Sequence, residues 1–312
     1  MPAAQKPIVV VGSINIDLVT NADRIPAAGE TVHGHGFQMH SGGKGANQAV
    51  AVARLGYPVQ MIGKLGLDSL GEELRVHLED AGVGLSGVEQ TEGPSGTALI
   101  VVGPRGENCI VVNSGANAKV LPDSIDRHLD IIRGAGLVLT QLEIPLETVE
   151  YLAKVCRREG IPLMLDPAPA QTLSADLLAR VNWLTPNESE TAFYLDPSVD
   201  MSELDGISNA GRLLLEKGPA GVVLKMGSRG AHLVAKGLEY QVDAFVVDAV
   251  DTTAAGDAFN GAFAVGLMSG KSPVESARFA VAASSISVTR PGAQPSMPTL
   301  AEVKRMLNDR AI

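Results

Sequence analysis

The sequence predicts an α/β fold built on a parallel sheet covered by helices. Three observations predict it: short unbroken apolar runs recur along the chain, stretches with helical spacing fall between several of them, and Gly, Pro or Asn bounds the runs. A strand with helices packed on both faces reads as a continuous apolar run, and alternation of such runs with helices implies parallel strands.

In chain order, strands are expected at residues 8–11, 59–62, 137–139, 163–165, 183–184 and 222–224. Each is short, and Gly, Pro or Asn lies at or near one of its ends. Helices are expected at 72–81, 146–158 and 207–217, and from Gly256 onward in three pieces containing 258–268, 273–288 and 300–307. Residues 245–247 have β character. Two regions interrupt this rhythm. Residues 31–40 (Thr-Val-His-Gly-His-Gly-Phe-Gln-Met-His) read as extended, and residues 97–102 and 109–113 flank Gly103-Pro104-Arg105-Gly106-Glu107-Asn108, a hairpin signal. These segments form either a small antiparallel sheet standing off the main one, as a lid would, or an edge extension of the central sheet. No internal repeat or low-complexity linker is visible, so a single domain over 1–312 is expected.

A hydrophobic fraction of 45% with 19% charged residues allows a substantial core and excludes disorder. With 25 basic and 35 acidic residues the net charge is −10, which predicts a surface that repels nucleic acid and anionic membranes. An anionic substrate then needs a local pocket of backbone N–H groups, cations or metal. Cys109 and Cys156 lie far apart and outside any C-x-x-C pattern, which argues against a disulfide framework or zinc cluster and suits a reducing compartment. The first apolar run is too brief for a signal-peptide core, and no run reaches roughly 18 residues, the length of a membrane span. A cytoplasmic enzyme is the expectation.

Three patterns mislead. Gly82-Val83-Gly84-Leu85-Ser86-Gly87 matches a dinucleotide fingerprint but follows a helical stretch instead of a strand. Gly266-Leu267-Met268-Ser269-Gly270-Lys271-Ser272 resembles a Walker A loop with one spacer too few, and Gly270 is more simply a helix C-cap. His33, His35 and His40 have no Cys or carboxylate cluster beside them and read as solvent-facing strand residues, not a metal site.

Three segments carry chemistry. In Asp251-Thr252-Thr253-Ala254-Ala255-Gly256-Asp257, small residues open a helix, where backbone N–H groups and the helix dipole favour a phosphate. Asp257 falls in the first turn, able to take a proton from a hydroxyl while adjacent amides hold a transferring phosphoryl group. An ordinary helix with an acidic first turn is the plain alternative. In Ser41-Gly42-Gly43-Lys44-Gly45-Ala46-Asn47-Gln48, glycines expose amides, Lys44 adds a cation and Asn47 supplies a donor and an acceptor, a set suited to a polyhydroxyl ligand. The bland reading is a Gly-rich loop capping an Ala-rich helix. Gly12-Ser13-Ile14-Asn15-Ile16-Asp17 follows the first strand, so Asn15 and Asp17 either face a ligand beyond the strand ends or form an Asx turn.

The second and first of these segments together resemble the two signatures of the ribokinase (PfkB) carbohydrate kinase family. The resemblance extends through Gly63-Lys64-Leu65-Gly66-Leu67-Asp68, Gln141-Leu142-Glu143, Asp166-Pro167-Ala168-Pro169-Ala170, Thr185-Pro186-Asn187-Glu188, Gly227-Ser228-Arg229-Gly230 and Thr289-Arg290-Pro291-Gly292-Ala293-Gln294-Pro295-Ser296. It implies a doubly wound, mostly parallel α/β domain with helices on both faces and a small β lid, discontinuous over about 15–45 and 96–116. It also implies a homodimer formed through the lids.

The implied activity is ATP-dependent phosphorylation of D-ribose at O5, giving ribose 5-phosphate and ADP. Asp257 would be the general base, and the amides of Ala254, Ala255 and Gly256 the anion hole. The implied sugar contacts are Asn15, Asp17, Gly43, Lys44, Asn47, Glu143 and Asp257. For ATP the resemblance points to Asn187, Lys225, Gly227, Ser228 and Gly230, with Glu190 near Mg²⁺ and Lys225 standing where many relatives carry Thr. A K⁺ site would use Asp251, Thr253, Ser287, Arg290, Gly292 and Ser296, an oxygen-only shell that suits a hard cation. The competing expectations are a relative acting on deoxyribose, fructose or adenosine, and a non-catalytic sugar-responsive regulator.

Overall fold

Strand β1 (Ile8–Val11) sets the architecture. Its side chains alternate between two separate cores, Ile8 and Val10 in one and Val9 and Val11 in the other, and all four are fully buried. At about 1.5–3 kcal/mol per buried aliphatic side chain, such a strand is stable only with helices on both faces. The computed structural model describes residues 5–309. The other strands are β2 (Asn15–Ala22), β3 (Gly34–Gly42), β4 (Val59–Gly66), β5 (Gly84–Thr91), β6 (Gly96–Val102), β7 (Asn108–Asn113), β8 (Leu137–Thr140), β9 (Leu163–Leu165), β10 (Trp183–Leu184), β11 (Gly221–Lys225), β12 (Ala231–Ala235) and β13 (Leu238–Val242).

The central sheet runs β13-β12-β11-β10-β9-β8-β1-β4-β5. From β11 to β5 every pairing is parallel, while β12 and β13 add an antiparallel hairpin at one edge. The chain leaves β1 towards β4 on one side and returns to β8 on the other. The crevice beyond the carboxyl ends of β1 and β8 is thus the topological switch point, where open α/β sheets bind ligands.

One face is covered by helices Lys44–Arg54, Ser69–Asp80, Ala255–Met268, Pro273–Ser287 and Leu300–Asn308, the other by Leu146–Glu159, Leu204–Glu216 and shorter pieces. Helix Ala255–Met268 is buried almost all round because its small residues admit neighbours closely. A Cβ on Gly261 would stand 2.6 Å from that of Ala51, and one on Gly266 2.8 Å from Ser276.

A second sheet of four strands, β3-β2-β6-β7, stands apart from the first, so the interrupting segments form a separate sheet and not an edge extension. Strands β6 and β7 make the expected hairpin. Other expectations need correction. The strand expected at 31–40 lies at Gly34–Gly42, the tail of which runs straight into the Gly-Gly turn. Asn15 and Asp17 lie within strand β2, not in an Asx turn. Residues 245–247 form no strand, and Val246 is 91% exposed. The Gly82–Gly87 pattern leads from a helix into β5, the reverse of a dinucleotide fold, and Gly270 takes a positive φ of 78° just past a helix end. His33 and His35 are exposed, and His40 shares a hydrogen bond with Gln38.

Candidate active site

The carboxyl ends of β1, β8, β9, β10 and β11 are followed by Asn15, Glu143, Asp166 and Asn187 and end on Lys225, so the sheet sets these side chains along one rim. Helix Lys44–Arg54 starts at the same rim. Gly43, just before it, has φ 87°, and a Cβ there would stand 2.7 Å from the Asn15 amide nitrogen. Only glycine joins β3 to this helix so close to the β1–β2 turn. The Ser13 hydroxyl and the Lys44 amide both donate to Glu143 Oε2, at 2.6 and 3.0 Å. Asn15 accepts from Asn117 Nδ2 at 2.7 Å.

Asp257 lies in the first turn of helix Ala255–Met268 and is buried. Asn47 Nδ2 donates to its Oδ2 at 3.0 Å and Gln48 Nε2 to its Oδ1 at 2.9 Å. Each carboxylate oxygen has two lone pairs, so accepting capacity remains on both. Burial pushes the carboxyl up to about 6; Lys44 opposes the shift and the charge of Asp166 adds to it. Asp17 is likewise raised to about 6, by burial and then by Glu143 and Asp257. Burial works against the charge of Lys44, but Asp257, Asp166, Glu143 and Glu190 outweigh it and hold the ammonium above its ordinary value. The residues expected to bind the sugar, Asn15, Asp17, Gly43, Lys44, Asn47, Glu143 and Asp257, therefore lie near one another although their sequence positions span the chain.

Ahead of Asp257, Ala254 has φ 57°, the one non-glycine in that region among the described residues. Such strain persists where surrounding structure enforces it, and it gathers at functional turns. Of the three amides expected as an anion hole, that of Ala255 donates to the Thr252 carbonyl at 3.2 Å and is engaged within the turn. A cleft of about 570 Å³ opens beside this turn, lined by Ala254, Ala255, Gly256 and Asp257, and by Lys44, Asp166, Asn187, Glu190, Lys225, Gly227 and Gly230. Ser228 is exposed on the turn Gly227–Arg229 and does not line the cleft. A second cavity of about 400 Å³ borders Asn15 and Glu143 and is otherwise walled largely by apolar side chains, including Leu142, Ile144 and Val112 from the lid.

Asn187 and Glu190 form a reciprocal capping box on helix Glu188–Tyr194. Burial raises Glu190, with Lys225 partly offsetting it. Among the described residues, no three His, Cys, Asp or Glu side chains gather as a metal site. A divalent ion at Glu190 would thus draw most of its ligands from phosphate and water, as Mg²⁺ accepts.

The expected K⁺ residues lie on two adjoining segments. Asp251 accepts from the amide of Gly292 at 2.8 Å and from Thr253 N and Oγ1, and the Val288 carbonyl accepts from the amides of Val250 and Asp251. Burial works against the Asp251 charge, but these hydrogen bonds outweigh it and keep the carboxyl below its usual value. Ser287 and Ser296 donate to the carbonyls of Ser284 and Ala293, and the Arg290 guanidinium pairs with Glu302. Only the carbonyl of Arg290 is thus available to a cation, and the donor set of carbonyls, hydroxyls and one ionised carboxylate fits a hard monovalent ion.

Gln48, Asp166, Ser13 and Asn117 also belong to this centre and were not singled out from sequence. The only local hint was that Lys44, Asn47 and Gln48 stand at i, i+3 and i+4 on one helix face.

Known proteins resemble this chain over nearly its whole length. A curated ribokinase of Bacillus subtilis is 44% identical over 302 residues, covering 96% of this chain and 99% of the relative. A deoxyribokinase of Salmonella typhi is 36% identical, covering 96% and 98%. The structure of Arabidopsis thaliana ribokinase complexed with ribose and ATP superposes with a TM-score of 0.90 at 38% identity, covering 97% of this chain and 98% of that one. Residues 5–300 match the pfkB family carbohydrate kinase description, and the chain belongs to that family.

Proposed function

We propose that this protein transfers the γ-phosphoryl group of ATP to O5 of D-ribose, giving ribose 5-phosphate and ADP. One observation carries the reading. A buried carboxylate, held by two amide donors, stands between the rim that carries Asn15, Gly43 and Glu143 and a cleft bounded by a helix N-terminus and Lys225. Asn15, Asp17, Gly43, Lys44, Asn47 and Glu143 bind the sugar hydroxyls. Asp257 takes the proton from O5 as that oxygen attacks in line. The amides of Ala254 and Gly256, joined by that of Ala255 when its bond to Thr252 opens, receive the charge of the transferring group.

Asn187, Lys225, Gly227, Ser228 and Gly230 hold the nucleotide, Ser228 from the outer rim. Glu190 would help to hold Mg²⁺, which would neutralise phosphate charge, and Asp251, Thr253, Ser287, Arg290, Gly292 and Ser296 would hold K⁺, which would steady the loop ahead of Ala254. The protein works in the cytoplasm and does not bind nucleic acid.

It pairs as a homodimer through its lids. Met39, Leu18, Leu99 and Val111 align across the lid strands on the face opposite Asp17, and Leu99 and Val111 are 52% and 60% exposed.

The apolar cavity beside Asn15 and Glu143 favours a second reading, in which the sugar carries a further group, as in adenosine. Comparing kcat/KM for ribose, deoxyribose, fructose and adenosine tests the substrate; ribose must come first. Asp257→Asn should lower kcat at least about a hundredfold with sugar binding kept. Near-normal turnover in that variant would remove the base.

A further inference from the structure

Buried polar groups outside the proposed contact set converge beneath Asp257. Gln48 is fully buried, and both ends of its side-chain amide are hydrogen-bonded. Nε2 donates to Asp257 Oδ1 and Asp166 Oδ2, both at 2.9 Å, while Oε1 accepts from Gln141 Nε2 at 2.6 Å. A primary amide has two N–H hydrogens, and here both are committed to carboxylates. The other oxygen of Asp166 accepts from Lys225 Nζ at 2.8 Å, with both side chains nearly withdrawn from solvent. Lys225 Nζ in turn lies 3.4 Å from where a Cβ on Gly256 would stand, at the turn that opens the helix. One unbroken path of hydrogen bonds therefore runs from Asp257 through Gln48 and Asp166 to a cation facing the nucleotide cleft.

Resting on the reading of Asp257 as the base, we infer that Gln48 and Asp166 are positioning residues that lock the base and the phosphate-side cation Lys225 into one unit. Two carboxylates brought to the same amide repel each other, and the two N–H donors of Gln48 offset that repulsion while fixing the plane of the Asp257 carboxylate. Its remaining lone pairs then face the sugar rim. Asp166 does the same for Lys225, holding a flexible four-carbon chain against the turn before any phosphate arrives, which reduces the ordering entropy left for binding. The other charged groups bearing on Asp257 are Lys44 from helix Lys44–Arg54 and Asp17 from β2, and Lys44 is in turn held by Glu143 and Glu190.

Two near-isosteric variants test this through pH profiles of kcat/KM for the sugar at saturating ATP and Mg²⁺. Gln48→Met removes both donors with little change of volume. Its acid limb should move up by about half a pH unit or more, with kcat at pH 7 down at least about tenfold and KM for the sugar changed less than about threefold. Asp166→Asn keeps the shape and removes the charge. Its acid limb should move down, and KM for ATP should rise at least about threefold as Lys225 loses its holder. A purely structural role would lower activity at every pH without displacing the limb, and could not displace it in opposite directions. Folded variants that both keep the wild-type limb, or move it the same way, overturn the inference. If Gln48→Met does not fold, the Asp166→Asn profile decides alone. Retained turnover in Asp257→Asn would sink the base and this inference with it; loss there beside unmoved limbs sinks only the positioning unit.

Discussion

Asp257 is held at a cost that shows in its titration. Its carboxyl stands at about 6 in the folded chain against 3.8 for the free group, because burial disfavours the charge more than Lys44, Asn47 and Gln48 favour it. The folded state therefore binds this proton more tightly than the unfolded state, and ionisation between about pH 4 and 6 weakens the ligand-free fold. The full effect of such a shift is on the order of 3 kcal/mol. Asp257→Asn should gain stability relative to wild type as pH rises through that window and hold a constant difference above it. Thermal or denaturant melts of both proteins at pH 4, 5, 6 and 7 measure this; a difference that does not vary with pH would return the carboxyl to its ordinary value. Small residues before a helical Asp suit a phosphate site but also an ordinary acidic first turn, so the proposed role of Asp257 comes from the family signatures and not from its own segment. Gln48 was not legible: a Gln on an Ala-rich helix acquires meaning only from Asp166 and Asp257, which are 118 and 209 positions away.

At the scale of elements, the turn between β3 and helix Lys44–Arg54 tolerates little change. Gly43→Ala would place a methyl group against the Asn15 amide nitrogen at 2.7 Å and the Ser13 carbonyl at 3.0 Å, with φ at 87°. We expect a loss of about 1–3 kcal/mol in stability and a rise in KM for the sugar larger than any fall in kcat. Unchanged melting and KM would mean that the turn tolerates a side chain. The buried parallel strands were readable as apolar runs because both of their faces meet helices. Strands β5 and β13 were missed because edge strands mix polar and apolar residues, and β12, although flanked on both sides, carries His232 within a short apolar run. The expected strand at 245–247 does not form: Phe245 packs into the core, while Val246 points to solvent.

For the whole molecule, the lid presents its outward apolar stripe on a sheet whose outer strand β7 is exposed throughout. Exposed edges rich in β-branched residues favour pairing with another chain. Leu99→Lys combined with Val111→Lys should turn a dimer into a monomer in sedimentation velocity while leaving thermal stability of the α/β body nearly unchanged. A monomeric wild type, or a variant that still dimerises, would remove the lid interface. The sequence left the lid open between two arrangements, since extended segments do not say which sheet they join; pairing of β2 with β6 across the intervening α/β unit decides it.

The hydrogen bonds that complete the reactive centre join Asn47 and Gln48 to a residue 210 and 209 positions further along. No contiguous stretch shorter than most of the chain contains them all. Closing so long a loop is unfavourable until the intervening sheet has formed. Fragments ending before helix Ala255–Met268 lack Asp257 and should show no turnover, and recovery of turnover during refolding should follow formation of the intervening sheet.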